Sequence, residues 1–484
     1  MKFVKTQFPK ILAVIIFVAL CAGCNLAPHY KRPAIETPAA FKENSGTNNT
    51  DTNIWQVAQP GDDTVRSNWW EAFNDTNLDA LENQIAVSNQ NVLVAFQDYV
   101  VAHEEVREAQ SEYYPTLTGD PGVTRQRTYT GGGLTLHNPN VTTYDLPLDG
   151  SWQPDLWGKV RNTVRASAAT AQADAADLEN TKLTAQAELA SDYFQLRGQD
   201  ALIQLYDDTV GAYSNSLQLT TVLFKTGIDS DEDVAQADTQ LETTEATATN
   251  LRILRAQLEH AIAVLIGRPP EGFSIPAMPL TATPPNIPTG VPSQLLERRP
   301  DISSAERAVA SANAEIGVAR AAFFPNITLS ASGGFEAPNT ETLLKWGSRV
   351  WAIGANASQP IFNAGLFPAV LQYRASYNAT VAQYRQTVLA AFQSVEDNLV
   401  ELRVYQVQVR QQAGAVKASQ NYLNLATYRY KLGIDSYLNV ITAQTTLLDN
   451  RQTLVNLYTQ QMMDAVDLIE NLGGGWNASQ LPKN

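Results

Sequence analysis

Few side chains in this 484-residue chain could do chemistry. His103 and His260 lie in helical patterns, His29 and His137 in loops, and none has a second histidine or a carboxylate at metal-ligand spacing. The two cysteines, Cys21 and Cys24, both fall at the N-terminus, which leaves no material for a Cys-rich zinc or iron–sulfur site. The sequence contains no Gly-rich phosphate loop and no nucleophile elbow. An enzyme is therefore set aside, and no cofactor and no metal are expected. A net charge of -15 opposes nucleic acid, whose phosphates need a basic surface. Three features remain: Cys24, an acidic run of Asp229, Asp231, Glu232 and Asp233, and Arg298-Arg299-Pro300-Asp301. The last reads as structure, because Pro at a helix start with Asp in the first turn is ordinary capping chemistry.

Cys24 follows a secretion signal. Lys2, Lys5 and Lys10 form a basic segment, and Ile11 to Ala22 an apolar one too short to span a bilayer. Leu20-Cys21-Ala22-Gly23-Cys24 resembles a bacterial lipobox, with Cys21 where Leu is usual. Residues 1–23 are then a signal peptide, and Cys24 carries acyl chains such as palmitate. Each buried CH₂ anchors by about 0.8 kcal/mol, so more than one chain makes a stable anchor. Asn25, where Asp would signal inner-membrane retention, points to the outer membrane. Losing three lysines takes the net charge from -15 to -18. The alternative is an ordinary cleaved signal with an incidental cysteine.

An internal duplication positions the acidic run. Lys225-Thr226-Gly227-Ile228-Asp229-Ser230 reappears 206 residues on as Lys431-Leu432-Gly433-Ile434-Asp435-Ser436. Gln153-Pro154, Leu196-Arg197, Val234, Ala237, Leu241 and Gly267 recur at the same offset. Upstream, Glu105, Ala109 and Pro115 match Glu315, Ala319 and Pro325 at an offset of 210. The chain divides into an extended arm (24–76), a first copy (77–267), a Pro-rich linker (268–294), a second copy (295–473) and a tail (474–484). Each copy reads as helix, β-hairpin (about 115–154 and 325–360), long helix, tight turn (about 225–233 and 431–439) and return helix. Leu189, Leu196, Ile203, Val210, Leu217 and Phe224 recur every seven residues, as do Val388, Val395, Leu402, Val409, Val416 and Leu423. A strict seven-residue repeat predicts coiled-coil packing along helices of about 70 residues, or about 105 Å.

The hairpins alternate. Leu146, Leu148, Gly150 and Trp152 share one face, and Asp145, Asp149 and Ser151 the other. Trp351, Ile353, Ala355 and Ala357 alternate similarly, as do Ile327, Leu329 and Ala331. Open strand edges are not tolerated in lipid, and membrane barrels start at about eight strands. Four strands must therefore be shared among chains if they span a membrane, and three chains give twelve. The alternative keeps both hairpins as soluble caps on a helical rod.

Several motifs carry a family resemblance: Gly23-Cys24 through Tyr30-Lys31-Arg32-Pro33, Trp69-Trp70, Leu295 to Ile302 with Ala305-Glu306, Ile316 to Pro325, the two Gly-Ile-Asp-Ser turns, and Leu472-Gly473-Gly474-Gly475-Trp476. On these the chain resembles TolC-type outer-membrane efflux proteins, in the OprM-like (NodT-type) lipoprotein branch. The resemblance implies a mainly α fold with a membrane β-barrel, in which a homotrimer forms a twelve-stranded outer-membrane barrel on a periplasmic α-helical coiled-coil tunnel. It implies a passive exit duct for small toxic compounds, with a periplasmic adaptor protein and an RND-type inner-membrane transporter as partners and outer-membrane lipid around it. Alternatives are a same-fold duct for protein secretion and a lipid-anchored coiled-coil protein without a pore.

The resemblance also makes the two turns the adaptor-docking tips, with Gly227, Ile228, Ser230, Gly433, Ile434 and Ser436, and places the periplasmic gate beside them. The hydrophobic constriction position is Leu438. The positions that often carry gate aspartates are Asn439 and Thr442 here. The negative collar is therefore expected from the first copy, through Asp229, Glu232 and Asp233 with Asp231, and Asp435 lies in the second turn.

Overall fold

A computed structural model describes residues 25–43, 68–127, 140–285, 287 and 292–482. Cys21, Cys24, His137 and the Gly131-Gly132-Gly133 loop lie outside the described residues.

The first helix pattern is split. Helix α1 (Thr76–Ser88) and α2 (Gln90–Ser111) meet at Asn89, whose side chain caps α2 by accepting from the Asn91 and Val92 amides. Strands β1 (Thr116–Thr118), β2 (Gly122–Arg127) and β3 (Asn140–Trp152) follow. Next come the long helix α3 (Lys159–Lys225) and its return α4 (Asp231–Leu265). The second copy repeats the order, with α5 (Pro292–Arg298), α6 (Pro300–Ala321), β4 (Asn326–Ala337), a short α7 (Thr340–Leu343), β5 (Arg349–Ser358), α8 (Leu366–Lys431) and α9 (Tyr437–Asn471). The long helices have 67 and 66 residues, about 100 Å at 1.5 Å per residue.

The strands form one open antiparallel sheet. Both β1 and β2 pair with β3, which pairs with β4, which pairs with β5. Residues 119–121 interrupt what the pattern predicts as one strand, and Pro121 has no amide to give a ladder. The register Trp152↔Leu329 and Leu329↔Ala355 puts the two apolar alternations on a common face.

The main core lies at mid-body. Leu189, Tyr193, Phe194 and Leu196 of α3 pack there with Ile262, Ile302, Val388, Val395 and Met462. Towards the tips the seven-residue stripes become half-buried at Val210, Leu217, Val409 and Leu423, and Phe224 is exposed. Matching arginines hold the extended segments to this body. Arg197 is buried, pairs with Asp200 at 3.3 Å, and donates to the Pro276 carbonyl of the linker at 2.6 Å. Arg403, its counterpart in the second copy, pairs with Glu43 of the arm. No helix among the described residues is long and apolar enough to cross a membrane.

Candidate functional site

Each long helix ends in the same backbone device. Gly227 (φ 78°) and Gly433 (φ 68°) adopt the left-handed conformation that glycine accepts without strain. The Gly227 amide donates to Phe224 and the Ile228 amide to Leu223, both at 2.9 Å. In the second turn Gly433 donates to Tyr430 at 2.8 Å and Ile434 to Arg429 at 3.0 Å. Lys225 and Lys431 complement the negative helix ends.

Beyond the glycines the copies diverge. Ser230 and Asp233 form a capping box on α4, so Asp231, Glu232 and Asp233 sit at the positive end of that helix. Ser436 makes no side-chain cap. Ile228, Ile434 and Leu438 are exposed, as are Ser230, Ser436, Asn439 and Thr442, and the Thr442 hydroxyl donates back to the Leu438 carbonyl.

The two tips are joined by residues that sequence reasoning missed. The buried Tyr430 donates its hydroxyl to Asp229 of the other tip. Its ring lies 5.3 Å from that of Tyr437, over Ala237 and Val440. Burial and the neighbouring Asp229 and Asp233 carboxylates push the Tyr430 phenol well above its ordinary range, so it stays a donor. Arg429 forks onto Asp435 within the second turn and holds that carboxyl below its usual value. Of the expected acidic group, then, Asp229 and Asp233 are hydrogen-bonded, whereas Asp231 and Glu232 are exposed. The signal was in the duplication, because Tyr430 aligns with Phe224, a difference of one hydroxyl.

The arm follows the second copy away from the sheet. Arg320 donates to the Leu26 carbonyl at 3.0 Å and Asn313 to Pro28 at 2.9 Å. Tyr30 bonds Glu306, Arg32 reaches Tyr384 and the Leu296 carbonyl, and the Lys42 amide reaches Glu396. A Cβ on Gly317 would come within 2.6 Å of Ala27, so only glycine lets the arm lie this close. Asn25 thus sits at the sheet end of α6, near the start of β4 at Asn326. Arg299 pairs with Asp301 at 2.7 Å and donates to the Asn471 carbonyl at 2.9 Å, which ties α6 to the end of α9 and accounts for that run as structure.

A duplicated unit of hairpin, long helix and tight tip is what the family profile described as "Outer membrane efflux protein" matches, over residues 81–268 and 291–474. The chain belongs to that family. The toluene efflux pump outer membrane protein TtgC of Pseudomonas putida is 31% identical over 470 residues, 96% of each chain. The cation efflux system protein CusC of Escherichia coli is 28% identical over 471 residues, 96% of this chain and 99% of that one. The solved outer-membrane channel OprN superposes with a TM-score of 0.86 at 28% identity, covering 94% of this chain and all of that one. The fold is therefore that of a TolC-type outer-membrane channel, with its helical tunnel in the periplasm, and the function is that of an efflux exit duct working with adaptor and inner-membrane components.

Proposed function

We propose that the chain acts as a homotrimer and as a passive duct without catalysis of its own. It passes small toxic compounds outward once a periplasmic adaptor and an RND-type inner-membrane transporter engage its tips. The open sheet carries this reading. β1/β2 and β5 are free edges, and Leu148, Trp351 and Ile353 stand exposed on one face. Three copies supply twelve strands, enough to close a barrel and leave no edge in lipid. The half-buried helical stripes gain neighbours in the same assembly. The relatives' names, one for toluene and one for cations, support small solutes as the class.

The tips Gly227–Ser230 and Gly433–Ser436 are the docking surface. Leu438, Asn439 and Thr442 line the aperture, and the Tyr430–Asp229 bond is its latch. Asp231 and Glu232, exposed in every protomer, form a collar that favours cations. Acylated Cys24 anchors the arm to the inner leaflet, a reading supported by the position of Asn25 beside the sheet. Light scattering and planar-bilayer recording on the purified full chain test the duct, with three chains per particle and ion conductance as the expected result. A monomer, or a trimer without conductance, overturns it in favour of a coiled-coil structural protein.

A further inference from the structure

Every charged side chain in the sheet is sorted by sign. The register pairs Arg125 with Thr142, Val123 with Tyr144, Leu146 with Phe335 and Phe335 with Arg349. Directly paired residues share a face and alternate residues return to it. Arg125, Arg127 and Arg349 therefore lie on the face of Tyr144, Leu146, Leu148, Trp152, Trp351 and Ile353. The three carboxylates, Asp145, Asp149 and Glu336, lie on the opposite face, with Asp145 directly across from Glu336. The arginines belong to the apolar face that lipid covers, and the acids to the lumen.

Height completes the pattern. The helices leave the sheet at the Trp152 and Asn326 end, so the Arg127 and Arg349 end is extracellular. From Tyr144 to Trp152 the strand climbs about 27 Å, or about 21 Å when tilted as barrel strands are, close to a membrane's apolar band. The two aromatics mark its edges. Arg125 and Arg127 stand beyond the Tyr144 edge, and Arg349 lies just inside it, its guanidinium 3.0 Å from the exposed Trp346 ring. Among the described residues no carboxylate pairs with any of these three arginines, and residues 128–139, which join β2 to β3, contain no acid. Glu341 and Lys345 balance each other in the other extracellular connection.

We propose that this face is a binding collar for the phosphorylated glycolipid of the outer leaflet, lipopolysaccharide, whose phosphates the arginines take by charge-assisted hydrogen bonds. In a chain of net charge -15, an unpaired basic cluster at the height of the outer headgroups matches an anionic lipid and no other neighbour at that depth. The inference rests on the trimeric barrel, in which closure brings the β5 edge of one protomer beside the β2 edge of the next and so gathers the three arginines at each seam.

The test uses the purified full-length trimer and native mass spectrometry with three lipids: lipopolysaccharide, the same glycolipid stripped of phosphate, and phosphatidylglycerol. Wild type should retain the phosphorylated glycolipid. The triple variant Arg125→Gln, Arg127→Gln, Arg349→Gln should bind it about a hundredfold more weakly, while the triple Lys variant keeps most of the affinity. Equal retention of phosphorylated and stripped glycolipid by wild type overturns the proposal without reference to any variant. Unchanged binding in the Gln variant, or equal preference for phosphatidylglycerol, overturns it as well. Mass and bilayer conductance are read on the same samples, so a chain that is no trimeric channel is recognised separately.

Discussion

Tyr430→Phe should open the periplasmic aperture. The substitution removes one hydroxyl and leaves the ring against Tyr437, Ala237 and Val440. What is lost is the bond to Asp229, a side-chain link between the two tips of a protomer. A hydrogen bond to a carboxylate is worth about 1.5–3 kcal/mol, and partial exposure of Asp229 lowers this to about 1–2. One broken latch shifts the open-to-closed ratio about 5- to 30-fold. In the proposed trimer, three latches that must break together shift it by about 3–6 kcal/mol, or 10²- to 10⁴-fold. Single trimers in a planar bilayer report this directly as conductance and open time. Asp229→Asn should act in the same direction with a smaller effect, since a neutral acceptor remains. Arg429→Ala is the control: its partner Asp435 lies in the same turn, so it changes no link between tips. If Tyr430→Phe leaves conductance unchanged, or Arg429→Ala opens the channel as far, the latch is wrong.

The remaining expectations concern the body. Arg197→Met should cost about 2–4 kcal/mol by leaving the linker carbonyl without its donor and removing one of the two cations beside buried Asp200, which keeps Arg255 and the Met278 amide, whereas Arg403→Met, on a more exposed pair, should cost about 1 or less; thermal unfolding compares them. Gly227→Ala meets open space at φ 78° and should cost about 1–2 kcal/mol, while Gly473→Ala, whose Cβ would lie 2.1 Å from the Arg298 carbonyl, should cost about 3 or more, read the same way. Burial, with Glu188 beside Asp192 and Glu401 and Asp467 beside Asp464, pushes both carboxyls up to about 6. The folded chain then holds protons the unfolded chain has released, so their ionisation penalty is complete above about pH 6 and relieved as pH falls towards 4. Asp192→Asn and Asp464→Asn should therefore raise the melting temperature at pH 7.5 and flatten its rise between pH 6 and 4.

The long elements were legible because period alone dictates them. A seven-residue repeat sustained through Leu189 to Phe224 permits only a long helix, and helices of 67 and 66 residues follow. Alternation likewise sorted Leu146 and Leu148 from Asp145 and Asp149, because a strand has two faces and one must meet lipid. The break at Asn89 was not legible, since its polar side chain caps α2 only once its own amide group meets the Leu265 carbonyl 176 residues away. The interruption at 119–121 is different, because Gly119-Asp120-Pro121 is itself a local turn signal that the hairpin range of about 115–154 passes over. The latch was hidden because its partners come from different copies, and local spacing carries no information about such a pair. The acidic tip is the opposite case. Four clustered acids drew attention, yet Asp229 and Asp233 are engaged in a latch and a cap, which leaves the exposed charge to Asp231 and Glu232.

Duplication explains where structure and function part. Positions that both copies share solve a packing problem twice. Gly227 and Gly433 turn the chain, Gly267 and Gly473 lie against the Ser88 and Arg298 carbonyls, and Arg197 and Arg403 strap down whichever extended segment passes. At the tip the turn itself is shared, but the positions flanking it differ. Phe224 faces Tyr430, Asp231 faces Tyr437, Glu232 faces Leu438 and Asp233 faces Asn439 across the repeat. A ring of six identical tips could close only with like surfaces in contact. With one acidic, capped tip and one aromatic, apolar tip per protomer, one tip can bond the other through a donor that its counterpart lacks. The carboxylate is shared, but Arg429 takes Asp435 whereas its counterpart Leu223 leaves Asp229 to the hydroxyl gained at Tyr430, and a gate needs a bond of that kind, strong enough to hold at rest and weak enough for a docking partner to break.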